Sequence, residues 1–186
     1  MTDEERAALY PILLSEYNPA WPAWYAEEKR SLLRLLGPEV VVGIHHCGST
    51  SVPGLLAKPT VDILLEIAPN AGVDALIAAL PEGYIALYPP SIPSPPPHLT
   101  VIKGYTPTGF AEKVYHIHVR YPGDADTEEK LLFRDFLIAH PETAAEYAAL
   151  KRELAVRFEY DRDRYTEAKG AFVRDVTAKA GQSINL

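Results

Sequence analysis

Two stretches of this chain carry residue types that can do chemistry at useful spacing. The first is His46-Cys47-Gly48-Ser49-Thr50-Ser51-Val52-Pro53-Gly54-Leu55, with Lys58 and Asp62 behind it; the second is Lys113-Val114-Tyr115-His116-Ile117-His118-Val119-Arg120. A Gly-Ser pair directly after a strand lets backbone N–H groups and a hydroxyl approach an anion closely. Taken alone, the pair reads as a tight turn whose serines bond their own backbone. Asp62 shifts that balance. Phosphoryl or nucleotidyl transfer needs donors around a triphosphate and a carboxylate that holds a divalent metal beside it. Magnesium takes one or two carboxylates together with phosphate oxygens and water. Two acids spaced by one residue on a strand aim at one ion, yet Leu64 occupies that second position. Glu66 shares the face of Asp62 but lies roughly 13 Å along the strand, and serves as a metal ligand only by reaching back. The bland role for Asp62 is pairing with Lys58 or capping a loop.

His116 and His118 alternate with Tyr115, Ile117 and Val119, so both histidines share one strand face with Arg120. Such a pair suits a metal or a phosphate, whereas a lone strand histidine is usually structural. His45 and His46 point to opposite faces, so only one of them can join that surface. Arg134-Asp135 and Lys169 are candidate phosphate or carboxylate partners, although helix-surface ion pairs explain each one singly. Cys47 has no recognisable partner base and reads as a small packing residue.

The elements that must position these residues follow from periodicity and punctuation. Residues 1–16 place Leu9, Ile12 and Leu13 at helical spacing. Asn18-Pro19-Ala20-Trp21-Pro22 leads into an amphipathic helix that stops at Gly37-Pro38. Residues 39–46 and 61–67 read as strands; the second has Val61, Ile63, Leu65 and Ile67 on one face and Asp62, Leu64 and Glu66 on the other. A short helix over 73–80 precedes a strand over 84–88. Six of the chain's 17 prolines fall between Pro89 and Pro97, which makes that segment a loop long enough to act as a flap. Two strands, 99–103 and 113–121, join around Gly104 and Gly109. Three helices follow, over 124–139, 141–159 and 163–179. The expected fold is α+β: a mixed sheet flanked by helices, in one domain over 1–186 with a helical part from about 124.

Composition sets outer limits. With 186 residues, 47% hydrophobic and 23% charged, the chain can bury a proper core. A formal charge of −7 argues against coating a polynucleotide, although a small basic site is invisible to net charge. A single cysteine, an acidic N-terminus and the lack of a long apolar run point to the cytoplasm and to no membrane partner.

With these residues assembled, the chain resembles the GrpB-like family, placed in the nucleotidyltransferase superfamily with the polymerase-β-like fold. The resemblance rests on Tyr17 to Pro22, His46 to Leu55 with Lys58-Pro59 and Asp62-Ile63, Val101 to Gly104, and His116 to Val119. It continues through Leu132 to Leu137, His140-Pro141, Glu146 to Lys151 and Tyr165 to Lys169, in that order. It implies that Gly48 and Ser49 lie against nucleotide phosphates and that Asp62 is the first metal-binding acid. Leu64 departs from the pattern at the second acid, and His116 and His118 stand where a third acid is usual. Fusion of GrpB-like domains to dephospho-CoA kinase in some bacteria implies a setting in nucleotide or coenzyme A metabolism. The expectation is therefore a magnesium-dependent nucleotidyltransferase using a nucleoside triphosphate and a small-molecule or protein acceptor. Asp62, His116 and His118 would be catalytic; Gly48, Ser49, Thr50, Ser51, Lys58 and Lys103 would hold the nucleotide; Asp62 and Glu66 would hold the metal. The alternative is a nucleotide- or phosphate-binding regulatory module without catalysis.

Overall fold

The computed structural model describes residues 2–87 and 98–184. Helix α1 (Asp3–Leu9) and helix α2 (Trp21–Leu36) precede strand β1 (Val41–Cys47), a single 3-10 turn (Ser49–Ser51) and strand β2 (Thr60–Ile67). Helix α3 (Val73–Ala79), strand β3 (Tyr84–Leu87) and the hairpin of β4 (Leu99–Thr106) and β5 (Gly109–Arg120) follow. Helices α4 (Ala125–Ala139), α5 (Pro141–Arg157) and α6 (Arg162–Ile184) close the chain. The proline-rich stretch read as a flap lies outside the described residues.

The five strands form one sheet in the order β1-β2-β5-β4-β3. β2 and β5 run parallel, with Asp62 opposite His116 and Leu64 opposite His118; the remaining pairs are antiparallel. Alternation on β2 sends Val61, Ile63, Leu65 and Ile67, each at most 1% exposed, into a core with Trp21, Leu32 and Leu36 of α2 and with Tyr115, Ile117 and Val119 of β5. Each such side chain contributes about 1.5–3 kcal/mol on burial. A one-residue slip would turn this whole set outward, so hydrophobic burial on one face fixes which residues stand on the other. That other face is met by the C-terminal helices, which have their own core of Phe133, Leu137, Tyr147, Ala148 and Val176 against Val52, Leu55 and Leu56.

Two local readings need correction. Helix α1 ends at Leu9, ahead of Pro11, so Leu9, Ile12 and Leu13 do not form one helical face. Instead the Ile12 N–H donates to the Glu159 carbonyl at 2.7 Å, and Ile12 packs with Leu154 and Tyr165. The β4–β5 strands are also longer than predicted and turn between Thr106 and Gly109. Gly104 lies inside β4 where the register shifts; its φ of +88° and the nearby Lys113 carbonyl leave no room for a side chain.

The helix-covered core face carries one buried charge. Glu28 on α2, 2% exposed, accepts from Lys103 Nζ at 2.6 Å and from Tyr84 Oη at 2.5 Å. Removing one partner strands a buried carboxylate. Lys103→Met is expected to lower stability by about 2–3 kcal/mol in urea unfolding, and an unchanged midpoint would contradict this role.

Candidate functional site

The sheet face opposite the α2 core, the 3-10 turn and helices α4–α6 enclose a cavity of about 520 Å³. Asp62 lines it at the sheet. One carboxylate oxygen, Oδ1, accepts from His118 Nε2 at 3.2 Å and faces His116 Nδ1 at 3.7 Å. The parallel register places these groups side by side, since Asp62 pairs with His116 and the second histidine is one pleat further. His116 Nε2 meets Tyr105 Oη at 2.7 Å, and Arg162 Nη2 donates to the same oxygen at 3.1 Å. The Asp62 carboxylate beside Nδ1 favours the tautomer with the imidazole proton there, in which the Tyr105 hydroxyl donates to Nε2. The opposite tautomer would aim a lone pair at a carboxylate. Burial depresses His116 to about 4 despite the Asp62 charge, so this ring is neutral at physiological pH. Asp62 is pushed up by burial, but the His118 hydrogen bond and the electrostatic pull of the two histidine rings and of Lys58 outweigh this and hold it at about 2. It is a carboxylate throughout the physiological range.

Gly48 is dictated by this aspartate. Its φ is +68°, and a Cβ there would collide with Asp62 Oδ2, so only glycine lets the loop lie against the carboxylate. Ser49 follows at the cavity wall, while Thr50 and Ser51 turn away from it. Thr50 is 1% exposed and bonded to His46 Nε2 at 3.0 Å. Ser51 Oγ donates to the Gly48 carbonyl at 2.6 Å, a local turn bond.

The remaining wall is cationic. Lys151 of α5, 2% exposed, donates to Ser49 Oγ at 3.0 Å and to the Leu56 carbonyl, over the ring of Tyr147. Lys58 and Lys169 lie over the Tyr165 ring, 5.5 and 4.3 Å from its centroid. Arg162 donates to the Tyr10 carbonyl and to Tyr105. Among the described residues none of these four cations makes an ion pair. Burial first, and then repulsion from neighbouring cations, depresses Lys58 and Lys151 to about 7. Burial likewise brings Lys169 to about 8, with Arg162 lowering it and Asp62 opposing. Of the acids lining the cavity besides Asp62, Asp126 is bound to Arg120 and Lys130, and Glu129 and Asp163 are exposed. Tyr165, fully buried in the same wall, has a hydroxyl with no hydrogen-bond partner among the described residues. Such a surface is built to receive an anion.

Of the predicted site residues, Gly48, Ser49, Lys58, Asp62, His116 and His118 meet at this cavity. Lys103 does not. It pairs with Tyr115 and so projects to the α2 side of the sheet, where it neutralises Glu28. Glu66 lies beyond reach of Asp62 and meets His45 Nε2 at 3.3 Å. Leu64 is fully buried, so the second acid position does not open on the cavity. No cluster of three or more His, Cys, Asp or Glu side chains among the described residues is arranged to hold a metal ion. One carboxylate suits a magnesium ion delivered on a triphosphate, whose own oxygens supply most of the shell, and does not suit a resident metal. Cys47 is 1% exposed and burial raises its thiol well above the ordinary range, which makes it a packing residue. Arg134 donates to the His46 carbonyl at 2.8 Å, bracing the end of β1.

Tyr105, Lys151, Arg162 and Tyr165 are participants that sequence reasoning missed. Lys151 carried a signal: Tyr147, Lys151 and Leu154 share one helical stripe, so a lysine interrupts an apolar face. On α6, Arg162, Thr166, Lys169 and Val173 recur at helical spacing and line the cavity together. Tyr105 and Tyr165 had no comparable signal.

Known proteins can be set beside this geometry. A family profile described as GrpB protein matches residues 11–179. A UPF0157 protein of Pseudomonas aeruginosa is 38% identical over 96% of this chain and 69% of its own length. The UPF0157 protein YqkA of Bacillus subtilis is 32% identical over 92% of this chain, which spans only 49% of that protein. A dephospho-CoA kinase of Mycolicibacterium paratuberculosis is 28% identical over 91% of this chain and 46% of its own length. The crystal structure of the conserved protein GrpB from Enterococcus faecalis superposes with a TM-score of 0.76 at 28% identity, covering 94% of this chain and all of that one. By profile, by relatives and by fold, the chain belongs to the GrpB family.

Proposed function

We propose that this protein binds a nucleoside triphosphate in the cationic cavity and transfers its nucleotidyl group to a small-molecule or protein acceptor. The observation that carries this reading is the set of four cations without an ion pair among the described residues, Lys58, Lys151, Lys169 and Arg162, gathered beside Gly48-Ser49 and the sheet carboxylate Asp62. Four basic side chains that make no ion pair among the described residues match a triphosphate better than a neutral ligand. Charge-assisted hydrogen bonds to such largely buried cations are the strong kind. Asp62, fixed by His118 and His116, stands ready to orient the acceptor's nucleophile, whose proton passes to solvent as pyrophosphate leaves. Magnesium arriving on the triphosphate would be held by Asp62 and would neutralise charge on the phosphate oxygens. The net charge of −7 keeps polynucleotides disfavoured as substrates.

A second reading, a nucleotide-binding regulatory module without catalysis, is favoured by one observation: Leu64 is buried and Glu66 is engaged by His45. Calorimetric titration of the four nucleoside triphosphates, with and without magnesium, separates the two. The enzyme reading expects magnesium-dependent binding and slow pyrophosphate release. Lys169→Met should weaken binding at least tenfold, about 1.4 kcal/mol, and Asp62→Asn should remove the magnesium dependence. Binding indifferent to magnesium and to Asp62→Asn supports the module, and absence of binding to any triphosphate refutes both.

Gly48→Ala supplies a structural check. The methyl group has to displace Asp62 in a backbone conformation that costs alanine about 1 kcal/mol or more. Lower thermal stability together with weaker triphosphate binding is expected; a neutral substitution would show that the loop does not depend on this contact.

A further inference from the structure

Beside the cationic cavity lies a second, smaller cleft of about 90 Å³, and Lys58 and Arg162 line both. Its wall is otherwise mostly apolar: Pro11, Leu13, Pro59, Phe110 and Val114, with Glu112 the only acid. Val114 stands one pleat before His116 on the same face of β5, so the cleft continues the sheet surface that holds Asp62. Among the described residues, no hydrogen bond involves Lys58 Nζ, and Arg162 donates only to the neutral oxygens of Tyr10 and Tyr105. Two cations that make no ion pair among the described residues thus form the boundary between an apolar cleft and a polar cavity.

We infer that this cleft is the acceptor subsite, taking a small molecule with a short apolar group and an anionic group that reaches Lys58 and Arg162. The volume is that of about three waters, enough for a branched group of about three to five carbons. The anionic group, a carboxylate or a phosphate, would lie where a guanidinium and an ammonium converge. Lys151 at Ser49 and Lys169 over Tyr165 face the triphosphate alone, while Lys58 and Arg162 stand between the two anions and serve both. A protein acceptor is then disfavoured. This inference rests on the nucleotidyl-transfer reading for the word acceptor, but the subsite itself can be tested apart from it.

Isovalerate and isopentyl phosphate serve as probes on the full chain, observed by saturation-transfer NMR and titrated for affinity. At least one should contact the parent protein through its methyl groups, and the stronger of the two identifies the anion. Ala111→Trp places a bulky ring at an exposed position in the cleft wall and should abolish the contact while ATP binding persists. Arg162→Gln should weaken the probe at least tenfold. Probes that ignore Ala111→Trp, or that fail to bind the parent at all, overturn the subsite. Loss of ATP binding by the parent strikes the nucleotide reading instead, so the two failures are distinguishable.

Discussion

The parallel pairing of β2 with β5 is the constraint on which the rest depends. It brings together two strands distant in sequence and sets Asp62 against His116 with His118 one pleat beyond. The apolar alternation on the opposite face enforces that register, because slipping by one residue would expose Val61, Ile63, Leu65 and Ile67 together. A carboxylate flanked by buried apolar residues is thereby held in place by side chains on the opposite face of its strand. Gly48 completes the arrangement, since its missing side chain lets the loop close on Asp62.

Against that aspartate the helices deliver more positive charge than it can balance. Lys151 alone is a buried ammonium supported by neutral oxygens, an arrangement that ordinarily disfavours the charged form. The protein sustains it because the lysines can shed protons when the cavity holds no anion, as their depressed values of about 7 and 8 indicate. The stability sacrificed to gather these groups is of the kind binding sites commonly carry. Elsewhere buried charges are matched: Glu28 by Lys103, and Arg120 by Asp126. Among the described residues, the buried charge without an ionic partner, Lys151, lies at the cavity.

Much of this arrangement was legible in the sequence, because strand alternation assigns faces without tertiary knowledge. It placed Asp62, His116 and His118 correctly, and it also contained the correction for Lys103, which alternates with Leu99 and Val101, both buried on the core face. Glu66 shared the right face, but distance and His45 removed it from the site. Thr50 and Ser51 looked equivalent to Ser49 until the 3-10 turn pointed each in a different direction. The contributions of Tyr105 and Tyr165 depend on how α6 lies across the sheet, and no local pattern encodes that docking.

The central claim, that the uncompensated cations form an anion site, is tested most directly by proton linkage. ATP binding would be measured calorimetrically at pH 8, where its phosphates are ionised, in buffers of different ionisation enthalpy. In the ligand-free protein Lys58 and Lys151 are largely neutral at this pH and Lys169 about half so; an anion among them restores their protons. The account predicts uptake of about one to two protons on binding, with affinity falling as pH rises from 7 to 9. Binding without proton uptake, or with affinity flat across that range, would contradict it.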